Sequence, residues 1–341
     1  MTFFGSAKYS DSIERSPNTQ AKLERLRKVY AHEEPDRVPI SDFFWGSFTS
    51  RWREELGLPD DADPYRHYDL DFIVTVPNMD PHVRRFETVR EDDEEVVIKT
   101  GFETTIRKRF DLPLPEQVSW ETDTIEKMEA FEFDDPWDRR RYFEAGDNQI
   151  AGVGDGFQRN SPPWVETVRG LHADFPVYGS ITEASEITTR LLGQLNTLTW
   201  IGEYPERFGE QLLRIGDFSY EVAKAQIEAA GGLLDGMVIW GDAAYKKGLF
   251  MGPKYWREYY KPTIARIIEL CHSHGLPVMF HGCGNANSYL EDMIEFGLDG
   301  YNPLEAKAGL DVVELRERLG HRLTFCGNCD MRVWERGDAD E

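Results

Sequence analysis

The stretch GMVIWGDAAYKKGLFMGPKYWREYYKPTIARIIELCHSHGLPVMFHGCG (236–284) decides the fold. It opens with a short apolar run, GMVIWGDAA (236–244), of the length of a buried strand. Helical periodicity follows over 253–274. A second apolar run, LPVMFHGCG (276–284), then stops at polar residues. The same unit recurs downstream, where GLDGYNPLE (297–305) leads to DVVELRERLG (311–320) and then to RLTFCGNCD (322–330). Upstream, FPVYGSIT (175–182) precedes helical patterning to about 230, and DFIVTVP (71–77) and VPISDFFW (38–45) read as two more strands.

Repeated strand–helix alternation implies parallel strands joined by crossover helices. Seven strands, beginning near 38, 71, 175, 236, 276, 297 and 322, predict a (β/α)8 TIM barrel whose eighth strand is missing from this chain. An open doubly wound sheet is the alternative, but no Gly-rich fingerprint opens its first crossover. Residues 83–110 alternate apolar and charged side chains around Gly-containing turns, which predicts a β-hairpin excursion after the second strand. Residues 111–165 carry no clear pattern. The whole chain, 1–341, is therefore expected to form a single barrel domain.

Composition narrows the partners. With 40% hydrophobic and 13% aromatic residues the chain can bury a sizeable core. A formal net charge of −23 opposes nucleic acid and anionic lipid. No apolar run approaches the roughly 20 residues of a membrane span, and the N-terminus lacks the layout of a secretory signal, so a cytoplasmic enzyme of small molecules is expected. Four cysteines (Cys271, Cys283, Cys326, Cys329) are too few for a disulfide scaffold; three cluster late in the chain, which points to metal or catalytic use.

On a parallel barrel, functional groups gather where strands end. The polar strand ends are Asp42, His82, Asp242, His281, Cys283, Asn302, Glu305, Asn328 and Asp330. Residues i and i+2 of a strand point the same way, so His281 and Cys283 aim an imidazole and a thiol at one place, and both are preferred zinc donors. A core histidine beside an inert cysteine is the competing reading. Glu305 ends the next strand and can reach the same ion; Cys326 or Cys329 could add a sulfur. Asp242 and Asp42 are the candidate acid–base groups, with a helix N-cap or loop brace as the alternative for Asp242. Trp45, His82, Trp240, Asn302, Lys307 and Asp330 are candidate substrate contacts, with core packing or solvation as the alternative for each.

The segments FHGCGNANSYLEDMIEFGLDGYNPLEAKAGLDVVELRERLGHRLTFCGNCD (280–330) and IWGDAAYKKGLFMGPKYWREYYKPTIARII (239–268), with DRVPI (36–40), resemble the uroporphyrinogen decarboxylase superfamily. The resemblance spans roughly 30–45 and 175–335, and loosely 70–110, and implies a (β/α)8 barrel. Decarboxylases of the family carry an Arg-Gln-Ala-Gly-Arg segment after the first strand, where this chain reads PISDFFWGSFTSRW (39–52). The His-x-Cys-Gly motif is instead similar to that of the methylcobalamin:coenzyme M methyltransferase branch. That likeness implies His281, Cys283 and Glu305 as zinc ligands, with a further cysteine, Cys329 or Cys326, and a corrinoid cofactor or corrinoid protein as partner. The expected reaction is zinc-dependent methyl transfer between a corrinoid and a thiol or methylated small molecule. A metal-free decarboxylase of polycarboxylates and a non-catalytic tetrapyrrole-binding protein are the alternatives. Relatives often form homodimers.

Overall fold

Six short strands form one parallel sheet in chain order: β1 (Ile73–Val74), β2 (Val177–Thr182), β3 (Gly236–Trp240), β4 (Val278–His281), β5 (Gly300–Asn302) and β6 (Thr324–Phe325). Every neighbouring pair is parallel. The computed structural model describes residues 3, 4, 9, 13–152 and 156–337. No helix of these residues is long and apolar enough to cross a membrane.

Strand alternation separates two cores. On one face, Phe72, Tyr178, Val238 and Met279 pack with Leu26 of helix α1 (Pro17–Tyr30), beside Val74, Trp240 and Cys326. Ser16 starts α1 by accepting the N–H of Thr19, and Pro17 occupies its first turn. On the other face, Val177, Ile181, Met237, Ile239, Val278 and Phe280 meet the crossover helices. Among these are α2 (Trp164–Leu171), α3 (Ala184–Leu192), α4 (Pro205–Ala230), α5 (Lys261–Ser273), α6 (Leu290–Glu295) and α7 (Val312–Leu319). This is the two-core layering of a parallel α/β fold, with the crossover helices on one face of the sheet and a smaller core that includes α1 on the other.

Three sequence expectations are corrected. Residues 38–45 do not form a strand, although they run beside β1. One bond has ladder form, from the N–H of Asp71 to the carbonyl of Ile40 at 2.7 Å. The return bond from Ile40 N–H goes to the Asp71 carboxylate, also at 2.7 Å. That buried carboxylate additionally holds Arg25 and Arg37, so a side chain has replaced the backbone partner that a ladder needs. The inserted sheet also extends beyond 83–110. It has four antiparallel strands, Glu87–Glu91, Glu95–Lys99, Thr104–Arg109 and Glu116–Trp120, with Val96, Ile98 and Ile106 buried beneath. Finally, the helix expected over 253–274 is two, Pro253–Tyr259 and α5, because Pro262 favours a new first turn.

Candidate metal centre

β4 delivers His281 to the end of the sheet between Trp240 of β3 and Asn302 of β5, its register partners on either side. The strand then stops. Gly282 donates its N–H to the carbonyl of Asn302 at 2.9 Å, and a Cβ there would stand 2.7 Å from the Tyr301 hydroxyl. Gly284 adopts φ +85°, a conformation glycine accepts at low cost. The chain therefore turns with His281 and Cys283 still on one side.

The imidazole is oriented by a single strong contact. His281 Nδ1 lies 2.6 Å from Asn302 Oδ1, while Asn302 Nδ2 donates to Cys326 Sγ at 3.4 Å. With its amide nitrogen committed to sulfur, Asn302 presents its oxygen to histidine, so Nδ1 carries the proton and Nε2 keeps its lone pair. Nε2 lies 3.8 Å from Cys283 Sγ. Asp242, just beyond β3, accepts the backbone N–H of Cys283 at 2.8 Å. One ligand atom each from Asp242, His281 and Cys283 lies within 4.8 Å of the others. Tetrahedral zinc with bonds of about 2.0–2.3 Å would separate nitrogen and sulfur by about 3.6 Å, close to the spacing found. The donor set and the oriented imidazole thus fit a zinc ion.

A buried acidic layer lies beneath, which sequence reading missed. Glu186 and Arg190, one turn apart on α3, form an ion pair. Burial pushes the Glu186 carboxyl up, but Arg190, His281 and the Asp242 backbone hold it below the usual range. Asp242 is pushed up, by burial and then by the charge of Glu186, against the Cys283 N–H that lowers it. Glu183, directly after β2, is buried with a pKa pushed up to about 8 by burial. Cys283 rises to about 12, through burial and then the charges of Asp242 and Glu305. Glu183 was detectable as the first acidic residue after a strand; the direction of Glu186 and Arg190 depends on how α3 docks.

The other candidates are dispersed. Glu305 accepts the Gly284 N–H at 2.8 Å and pairs with Lys307 at 3.3 Å, outside the three-residue cluster. Cys326 touches Asn302, whereas Cys329 is exposed. Asp42 is exposed and accepts the N–H of Phe43. Trp45 precedes the helix Gly46–Leu56. His82 sits between Glu103 and Asp134, at 3.7 and 3.3 Å, against the inserted sheet. Asp330 pairs with Arg332, which holds its pKa down to about 2. Asn328 bridges the carbonyls of Leu304 and Leu310 as a loop brace. Trp240 does reach the centre, its ring 4.9 Å from that of His281; Phe43 packs edge-on against Trp240 at 4.8 Å.

Comparison with known proteins adds two findings. The profile of the uroporphyrinogen decarboxylase family (URO-D) matches residues 155–340. Among solved structures, the chain is similar to a methyltransferase from Methanosarcina mazei, with a TM-score of 0.54 and 16% identity. That similarity covers 89% of this chain and 81% of the other, and at such identity it is a likeness of fold. No curated protein matches the chain.

Proposed function

The chain belongs to the uroporphyrinogen decarboxylase family, and from that premise we propose that it is a zinc-dependent methyltransferase working with a corrinoid. One observation carries the reading: Asp242, His281 and Cys283 converge within 4.8 Å, with the His281 Nε2 lone pair left available by Asn302. Nitrogen, sulfur and carboxylate oxygen form a donor set suited to zinc. When bound, zinc supplies positive charge that lowers the pKa of a thiol reaching it, so that thiolate is populated near neutral pH.

The protein's own groups have separate tasks. His281, Cys283 and Asp242 hold the ion, and Glu305 braces the turn through Gly284. Glu186, with Arg190 against it, places negative charge behind the centre. Trp240 and Phe43 shield the imidazole from water on one side. A methylated corrinoid, when bound, would supply the methyl group that the acceptor thiol takes up. The thiol proton leaves to solvent. The corrinoid would come as a free cofactor or on a partner protein.

Metal analysis of protein purified without chelators tests this, together with methyl transfer from methylcobalamin to a small thiol followed by corrinoid absorbance. About one zinc per chain and transfer lost in His281→Ala and Cys283→Ser are expected. Protein without stoichiometric zinc, or with turnover unchanged by both substitutions, would sink the proposal.

A further inference from the structure

Beside the metal centre lies a cavity of about 470 Å3, of a size that holds a small molecule. Its walls include Phe43, Phe44, Tyr65, Phe157, Trp164 and Trp240, and among the described residues no charged side chain lines it. Trp240 joins the two features, since it walls the cavity and packs against His281.

The polar atoms of the lining are nearly all engaged within the protein. Thr75 Oγ1 donates to the carbonyl of Tyr178 and accepts Trp164 Nε1. The Tyr65 hydroxyl donates to the carbonyl of Asp42, and that of Thr167 to the carbonyl of Pro163. Three lining residues differ, and of these the Gln158 amide is exposed to solvent. Trp240 Nε1 and Ser161 Oγ are buried and have no hydrogen-bond partner among the described residues. Both atoms lie below the cavity surface, so the lining meets a ligand chiefly through its aromatic rings and apolar side chains.

We propose that this cavity is the substrate site and takes an uncharged molecule with a flat apolar face. Aromatic walls supply stacking area. A carboxylate would meet no cationic side chain among the described lining residues, within a protein of net charge −23. Polycarboxylates are thereby disfavoured. Calling the occupant a substrate rests on the methyl-transfer reading; its binding does not.

Isothermal titration with 4-methylphenol and 4-methylbenzoate, matched in shape and different in charge, tests the proposal. The phenol should bind at least about tenfold more tightly than the carboxylate. Trp240→Ala and Phe44→Ala, each of which removes an aromatic wall, should weaken it about three- to tenfold. Cys283→Ser should lose zinc and leave phenol binding unchanged, because Cys283 is not in the cavity wall. Carboxylate binding equal to or tighter than phenol binding overturns the inference, as does a phenol affinity indifferent to both wall substitutions. Phenol binding in parental protein that holds no zinc as purified would overturn the metal reading alone.

Discussion

His281 stands opposite Asn302 across β4 and β5, and its Nδ1 lies 2.6 Å from the amide oxygen of that residue. The register of two strands thereby sets which imidazole nitrogen is available to a metal. Asn302→Ala removes the orienting acceptor and leaves the three donors. Zinc affinity, measured by competition with a chromogenic chelator, is expected to fall about 10- to 100-fold with the fold intact. An unchanged affinity would show that the amide does not orient the ring.

Arg190→Met strands Glu186 without its counter-ion. The side chains are 15% exposed for Glu186 and 29% for Arg190. A loss of about 1–3 kcal/mol in urea unfolding is expected, between the values for exposed and fully buried pairs. The pH dependence has a definite sign. The folded pKa of Glu186 is depressed, so its stabilisation is present above the unfolded value of about 4.3 and is lost as pH falls through the folded one. The variant should lose that component of acid sensitivity.

Glu183 has the opposite sign. Burial raises its folded pKa to about 8, so the folded state keeps a proton that the unfolded chain releases near pH 4.3. Stability therefore declines between those pH values as pH rises. Glu183→Gln keeps an oxygen for the Ser185 N–H and removes the ionisation. Its unfolding free energy should vary less with pH from 5 to 8 than that of the parent; parallel profiles would refute the assignment.

Thiol reactivity separates the cysteines. Burial and neighbouring carboxylates push Cys283 up to about 12, and burial does the same for Cys271. Cys329 is exposed. In metal-free protein at pH 8, iodoacetamide should alkylate Cys329 first and leave Cys283 largely intact, as read by peptide mass mapping. Rapid modification of Cys283 would contradict the half-buried, protonated thiol.

Glu305 distinguishes a ligand from a brace. Glu305→Gln retains an acceptor for the Gly284 N–H and should keep near-parental zinc content, whereas Asp242→Asn should reduce it. The reverse order would make Glu305 the ligand.

Much of the centre was legible in the order of residues. A strand has a period of two, so the shared direction of His281 and Cys283 followed from their spacing alone, as did the placing of Asp242 and Asn302 at the ends of adjacent strands. The same rule does not reach Glu305. Leu304, at φ +53°, turns the chain just before it, and alternation no longer applies beyond β5. Residues 38–45 have the composition of a strand, yet the Asp71 carboxylate takes the Ile40 N–H.

Local periodicity, a property of covalent geometry and side-chain polarity, determined the parallel α/β class and the His281–Cys283 pair by sequence alone. Tertiary structure decided what surrounds that pair. It set Asn302 against the imidazole, brought Glu186 and Arg190 under Asp242, and turned Glu305 toward Gly284. Those contacts join residues far apart in the chain, and their distances depend on strand register and helix docking, which no local pattern encodes.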